Sequence, residues 1–145
     1  MAERTDKYLE CCLYFTANSL SRTITRMADE EFSRLGLSTS HAFLLMLAAD
    51  QPGISQKDLA EHLNLAQSTV SRLVDALVLR GFVEKKSSGR LVEVFPTEPG
   101  RSQLAGIHDS WRTLYERYSS ILGKADSDQL TRSVLDAYRK LSNET

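Results

Sequence analysis

The feature that most constrains this fold is a pair of helical patterns followed directly by two β-prone runs, all within residues 54–95. The first helical pattern begins at Ser55 and ends at Asn64. Ser55 and Asp58 form an S-x-x-D pair that can cap the free amide groups at the start of the helix. The second repeats apolar residues at helical spacing. Its apolar members are Val70, Leu73, Val74, Leu77 and Val78. The β-prone runs flank the turn-forming sequence Ser87-Ser88-Gly89-Arg90. This order predicts a helix-turn-helix followed by a two-stranded wing.

The face of the second helix opposite its apolar stripe carries short polar side chains and one arginine. Hydroxyl, amide and guanidinium groups can bond base edges and phosphates, so we interpret this helix as a reader of the major groove. Residues 80–90 hold four basic side chains against one acidic, and local charge sets the attraction to phosphate. The candidate DNA contacts are Ser38, Ser40, Gln56, Lys57, Gln67, Ser68, Thr69, Ser71, Arg72, Lys86, Ser87, Ser88 and Arg90.

The length, net charge and composition of the chain limit the class of protein it can be. At 145 residues it is long enough for one domain with a real core, and its formal net charge of -1 excludes a globally basic DNA binder. No apolar run reaches about 18 residues and no secretory signal pattern opens the chain, so we expect a cytoplasmic protein without a membrane span. No catalytic constellation, phosphate loop or metal-ligand cluster occurs. We therefore expect no enzyme activity, no metal and no cofactor.

Apolar seams with spacings of three and four also run through both ends of the chain, and each predicts a helix. A capping pair, Asp126 and Gln129, predicts the start of the last helix. One chain of this size cannot easily bury three apolar helix faces by itself, so we expect a homodimer in which a second copy covers them. The alternative is that the helices pack on one another as an intramolecular bundle. The seams comprise Leu9, Leu13, Ala17, Leu20, Ile24 and Met27, then Leu104, Ile107, Trp111, Leu114, Tyr118 and Ile121, then Leu130, Val134, Ala137, Tyr138 and Leu141.

The sequence thus predicts a mainly α fold of the α+β type, formed by a single domain over residues 1–145. Residues 38–95 form its winged helix-turn-helix DNA-binding region, in which Ser38 caps the first core helix. Residues 5–35 and 98–143 form the dimerisation helices, and Thr97 caps the helix that leaves the wing.

Taken together, these segments resemble the MarR family of winged-helix transcriptional regulators. The resemblance implies a homodimer with interlocking terminal helices that binds a palindromic operator on double-stranded DNA and usually represses until a small ligand or an oxidant releases it. Family wings typically carry Asp-x-Arg, whereas the matching positions here are Ser88-Gly89-Arg90, so Arg90 lacks its carboxylate partner. The matching words are Leu35-Gly36-Leu37-Ser38, Ile54-Ser55-Gln56-Lys57-Asp58-Leu59-Ala60, Ser68-Thr69-Val70-Ser71-Arg72-Leu73-Val74, Arg80-Gly81-Phe82-Val83 and Thr97-Glu98-Pro99-Gly100.

A second hypothesis keeps the winged-helix fold but gives the recognition face to a protein partner, as an adaptor or anti-repressor without operator binding. The low net charge and the missing wing acid favour it slightly. Steep dependence of DNA binding on salt would separate the two hypotheses, because only DNA binding releases counterions.

We expect the signal that releases the protein from DNA to be an aromatic or amphipathic small molecule, bound between the dimerisation helices and the DNA-binding region. Redox sensing would instead use Cys11 or Cys12, which lie near the reactive thiol of a peroxide-sensing branch of the family, but no distal cysteine is present to resolve a sulfenic acid. The three histidines share no ligand spacing, so no metal sensor is expected. The ligand-site candidates, each of which also fits ordinary packing, are Cys11, Cys12, Phe15, His41 and Phe43.

Overall fold

The computed structural model describes residues 4–144; the ends of the predicted domain, residues 1–3 and 145, lie outside the described residues. The described chain is mostly helical with one small sheet, as predicted. Its elements are α1 (Thr5–Cys11), α2 (Leu13–Phe32), a 3₁₀ turn (Ser33–Leu35), α3 (Thr39–Asp50), β1 (Ile54–Ser55), α4 (Gln56–Leu63), α5 (Gln67–Leu79), β2 (Val83–Ser88), β3 (Leu91–Pro96), α6 (Glu98–Arg101), α7 (Leu104–Leu122) and α8 (Lys124–Ser142).

The sheet has three antiparallel strands in the order β1-β3-β2. The two-residue strand β1, in which Ile54 pairs with Val94, is an addition to the predicted hairpin. Strands β2 and β3 pair as far as Ser88 and Leu91, so the wing turn is shorter than predicted and contains only Gly89 and Arg90. Gly89 has a φ of 62°, which glycine adopts without steric cost.

The core lies where α3, α4 and α5 meet the sheet, the end of α2 and the start of α7. Val70, Val74 and Leu77 of α5 are fully buried, as their spacing predicts. Val78, which the same spacing predicts to be buried, is instead 36% exposed. It lies eight residues after Val70, which rotates it about 80° around the helix, to the edge of the apolar stripe.

The terminal helices are less regular than predicted. The predicted continuous amino-terminal helix is interrupted at Cys12, whose backbone is extended (φ -89°, ψ 117°), although neither glycine nor proline occurs there. The last helix begins two residues before Asp126, because Gly123 adopts a φ of 91° and lets the chain turn directly into α8. The predicted capping pair is therefore wrong: Asp126 lies in the first turn, and the Gln129 amide donates to Ser133 instead.

Thr97 and a close backbone contact at Gly100 fix the segment between β3 and α6 against the residues that precede β2. The Thr97 hydroxyl accepts from the amide of Gly100 at 3.1 Å, as the predicted cap requires, and donates to the carbonyl of Gly81. The Thr97 amide donates to the carbonyl of Phe82 at 3.0 Å. Gly100 packs on that same carbonyl so tightly that a Cβ atom there would lie 2.0 Å from the oxygen. Only glycine fits this position.

Within residues 4–144, no helix combines the length and apolar character needed to cross a lipid bilayer.

Candidate DNA-binding surface

The outward face of α5 is the centre of the surface. Three fully buried aliphatic residues hold the helix from behind, so its opposite face is fixed in position. Gln67, Ser68 and Arg72 are exposed on that face, and Thr69 and Ser71 are half-buried beside them. No hydrogen bond or ion pair within the described residues engages the Arg72 guanidinium. The face therefore presents free donors and acceptors to solvent.

The turn between α4 and α5 is set by local capping. The Ser55 hydroxyl accepts from the Asp58 amide at 3.0 Å, which confirms the predicted start of α4. Asn64 ends the helix in the left-handed region, with a φ of 56°, which asparagine tolerates better than most residues. Of the predicted contacts on α4, Lys57 is exposed and Gln56 is half-buried.

Ser38 and Ser40 lie at the start of α3, where Ser38 is the N-cap residue and Ser40 is in the first turn. The Ser38 hydroxyl caps the helix by accepting from the His41 amide at 3.2 Å, and it also lies 2.5 Å from His41 Nδ1. Burial, and then the nearby charge of Arg80, lower the pKa of His41, so the ring is neutral near pH 7. Arg80 also donates to the Gly36 carbonyl. The Ser38 hydroxyl is thus already engaged within the protein.

The wing carries its basic residues in different environments. Lys85 Nζ lies 2.6 Å from Asp75 Oδ1, so this lysine joins the wing to the outer face of α5 rather than adding free charge to the tip. Lys86 Nζ lies 5.0 Å from the centre of the Phe95 ring, a cation–π distance. Arg90 is exposed at the turn, beside exposed Ser87 and Ser88. The one sequence signal for the Lys85 pairing was an acid, Asp75, on an otherwise uncharged or basic face.

The terminal helices leave much of their apolar seams uncovered. Leu13 is 64% exposed, Ile121 72% and Val134 53%. Ser127 is the only buried residue of α8 within the described residues. These exposed apolar side chains are not covered by any other part of residues 4–144.

A cavity of about 530 Å³ lies between α2, α7, α8 and the Asn64 turn. Aliphatic side chains such as Leu20, Ile24 and Val134 form most of its wall, and Tyr118 and Tyr138 contribute their rings. Sequence reasoning missed this site as a unit, although it identified several of its residues as seam positions.

The predicted ligand residues do not come together. Cys11, Cys12 and Phe15 are exposed around the break between α1 and α2, whereas His41 and Phe43 lie on α3. None of the five lines the cavity beside α8. The Phe43 ring packs 6.2 Å from that of Phe32 and borders a separate hollow of about 380 Å³. No cluster of potential metal ligands occurs among residues 4–144.

The geometry defines a winged-helix protein with a polar recognition helix and with long amphipathic helices toward both ends of the described chain. The model of the MarR family matches residues 37–90. Over these residues the chain is similar to the MarR family of winged-helix transcriptional regulators.

Two curated relatives come from Bacillus subtilis (strain 168). The chain is 28% identical to the uncharacterized HTH-type transcriptional regulator YybA over 85 residues, which is 57% of this chain and 57% of that protein. It is 24% identical to the HTH-type transcriptional repressor YetL over 139 residues, 90% of this chain and 81% of that one. The match thus spans little more than half the length of the first relative.

Solved structures agree on the fold. The transcriptional repressor CouR bound to p-coumaroyl-CoA has a TM-score of 0.84 at 21% identity, covering 94% of this chain and 99% of that one. The S. aureus MepR–DNA complex has a TM-score of 0.75 at 16% identity, covering 88% and 97%.

Proposed function

We propose that the chain is a sequence-specific DNA-binding repressor that binds a palindromic operator as a homodimer and leaves it when a small ligand or an oxidant acts on the protein. The observation that carries this proposal is the exposed polar face of α5, with an unpaired Arg72 held outward by a fully buried aliphatic ridge. Such a face can donate to base edges and phosphates without first breaking an internal contact.

The uncovered terminal helices support the dimer. A two-fold pair would bury the exposed seams of α2, α7 and α8 against their own copies. It would also present two recognition helices to successive major grooves, about 34–36 Å apart, which is the spacing of palindromic half-sites.

A small ligand is the better supported of the two release signals. The CouR structure holds p-coumaroyl-CoA, and the present chain has a cavity of ligand size beside its terminal helices. Cys11 and Cys12 are exposed, but within the described residues no hydrogen bond reaches either sulfur, and a resolving cysteine is absent from the sequence.

A gel-shift series with the DNA upstream of the protein's own coding region, run across ionic strength, tests the proposal. We expect a specific shift whose affinity falls steeply with salt, because phosphate contacts release counterions. Absence of any specific shift at low salt would favour the adaptor hypothesis, in which the same face binds a protein.

Arg72→Ala is expected to weaken operator binding by about 1–3 kcal/mol and to relax base preference at the contacted position, because no other charged group lies on the exposed part of the helix start. Fluorescence anisotropy with the operator and single-base variants measures both effects. Arg112→Ala removes an equal charge from α7, where the side chain pairs with Asp109, and should leave binding unchanged. Equal losses in the two variants would contradict a base contact by Arg72.

Arg90→Ala is expected to weaken binding to all DNA sequences alike and to reduce the slope of log affinity against log salt by about one, since one phosphate contact is lost. Lys85→Ala is the matched control from the same hairpin. Because Asp75 already neutralises Lys85, this control should change the salt slope less than Arg90→Ala does. A larger slope change for Lys85→Ala would show that the ion pair opens on DNA.

A further inference from the structure

The three residues that follow the recognition helix, Arg80, Gly81 and Phe82, are fastened to that helix. The Phe82 amide donates to the Leu77 carbonyl at 2.9 Å. The Gly81 amide donates to the Val78 carbonyl, also at 2.9 Å. With Gly81 at a φ of 77°, these bonds form a Schellman motif, which closes the end of a helix with glycine in the left-handed region. Residues 80–82 therefore move with α5 as one unit.

The chain passes twice between the terminal helices and the predicted DNA-binding region. The first connector, residues 33–37, follows α2 and leads into α3. The second connector, residues 97–103, follows β3 and leads into α7. The orientation of the recognition helix relative to α2 and α7 therefore depends on how these two connectors are held.

Arg80 holds the first connector. Its guanidinium donates to the carbonyl of Gly36, 44 residues earlier in the chain. The residues on both sides of Gly36 are anchored. The Leu35 side chain packs at Gly106 of α7, where a Cβ atom would lie 2.8 Å from it, and Leu37 is 4% exposed in the core. Arg80 thus joins the end of α5 to the point where the chain passes from the terminal helices into the core.

Gly81 and Phe82 hold the second connector. The Gly81 carbonyl accepts from the Thr97 hydroxyl, and the Phe82 carbonyl accepts from the Thr97 amide and packs against Gly100. The guanidinium carbon of Arg80 lies 4.9 Å from the centre of the Phe82 ring, a cation–π distance. Within residues 4–144 no acidic side chain pairs with Arg80. Three consecutive residues therefore hold both connectors, and Arg80 links the two.

We propose that Arg80 is a positioning residue: through Gly36 and Phe82 it fixes the angle between the recognition helix and the terminal helices, and so sets the spacing of operator half-sites that the protein accepts. In a two-fold pair a change in that angle occurs in each protomer, so it alters the separation of the two recognition helices. The part of this inference on half-site spacing rests on the proposed function. The part on the angle concerns a single chain and rests on the contacts alone.

Double electron–electron resonance tests the angle without DNA. Nitroxide labels are attached at Glu61→Cys on α4 and Glu116→Cys on α7, both exposed positions, after Cys11→Ser and Cys12→Ser have removed the natural thiols. Dilution with unlabelled protein restricts the measured distance to labels within one chain. We expect Arg80→Ala to broaden the distance distribution at least about 1.5-fold, because the first connector then becomes a hinge. An unchanged distribution would refute the positioning role.

Two further variants separate positioning from charge and from general stability. Arg80→Lys keeps the charge and can still donate to the Gly36 carbonyl, but it lacks the planar fork, so it should give an intermediate width. Arg132→Ala removes an equal charge from α8, where the side chain bonds only Gln129 within the same helix, and should leave the width unchanged. Far-UV circular dichroism and Tm establish that each variant is folded. Equal broadening in Arg132→Ala and Arg80→Ala would contradict the proposal.

Operators of altered spacing, measured by fluorescence anisotropy, test the consequence for DNA. One added base pair moves a half-site by about 3.4 Å and turns it by roughly 35°, so the unaltered protein should bind operators one base pair longer or shorter at least about tenfold more weakly. Arg80→Ala should bind the correctly spaced operator less tightly but reduce that penalty to about threefold or less, because its recognition helices are less fixed. The same penalty in both proteins would overturn the spacing proposal. Failure of the unaltered protein to bind any operator would refute the proposed function, and the distances measured without DNA would still decide the role of Arg80.

Discussion

Ile121→Asp is expected to convert the proposed homodimer to monomers and to weaken operator binding at least about 100-fold. Ile121 is 72% exposed on α7, at a position of the apolar seam that the described residues leave uncovered. In a two-fold dimer the substitution would bury two unpaired carboxylates, and an uncompensated buried charge costs about 3–5 kcal/mol. A loss of 3 kcal/mol alone corresponds to roughly a hundredfold change in affinity.

Sedimentation velocity and gel shift on the same samples measure the two effects. Leu79→Asp is the matched control, because Leu79 is 88% exposed but lies at the end of α5, outside the terminal helices. It should leave the oligomeric state unchanged. A dimeric Ile121→Asp protein would show that the terminal seams are covered in another way, and a second variant on the opposite seam, Leu13→Asp, would then locate the interface.

Gly100→Ala is expected to destabilise the protein by about 3 kcal/mol, which lowers Tm by roughly 10 °C for a chain of this size. The new Cβ would lie 2.0 Å from the Phe82 carbonyl oxygen. That oxygen accepts from the Thr97 amide, so it cannot move without loss of the contact that closes the wing. Backbone, unlike a side chain, has no alternative rotamer to relieve the clash.

Gly106→Ala provides the control within the neighbouring helix. There the new Cβ would meet the Leu35 side chain, 2.8 Å from its terminal Cδ2, which can rotate away. Alanine also favours a helix over glycine by about 1 kcal/mol, so the net change should be small. The Tm values of Gly100→Ala and Gly106→Ala are compared by thermal unfolding at equal protein concentration. Equal stability of the two would contradict the assigned role of Gly100.

Local chemistry explains which parts of the fold were predictable. Ser55, Asn64 and Thr97 act through hydrogen bonds or backbone angles within a few residues, so their sequence neighbourhood contains the necessary information. The aliphatic spacing of α5 was equally local. By contrast, the extended backbone at Cys12 has no glycine or proline to mark it.

The candidate site was predictable only where it lies on one element. The outward face of α5 follows from its buried face, so Gln67, Ser68 and Arg72 could be identified from the helical period. The cavity draws on residues from Leu20 to Tyr138, and no periodicity within one helix reports which faces meet across that distance. Its uncharged lining became apparent only after the helices were packed.

The ion pair between Lys85 and Asp75 has a consequence for how such proteins diversify. It masks one cation of the hairpin with an acid that belongs to a different element. Replacement of that acid by a neutral residue would unmask the lysine, so general attraction to nucleic acid can evolve at a helix position while the hairpin sequence stays the same.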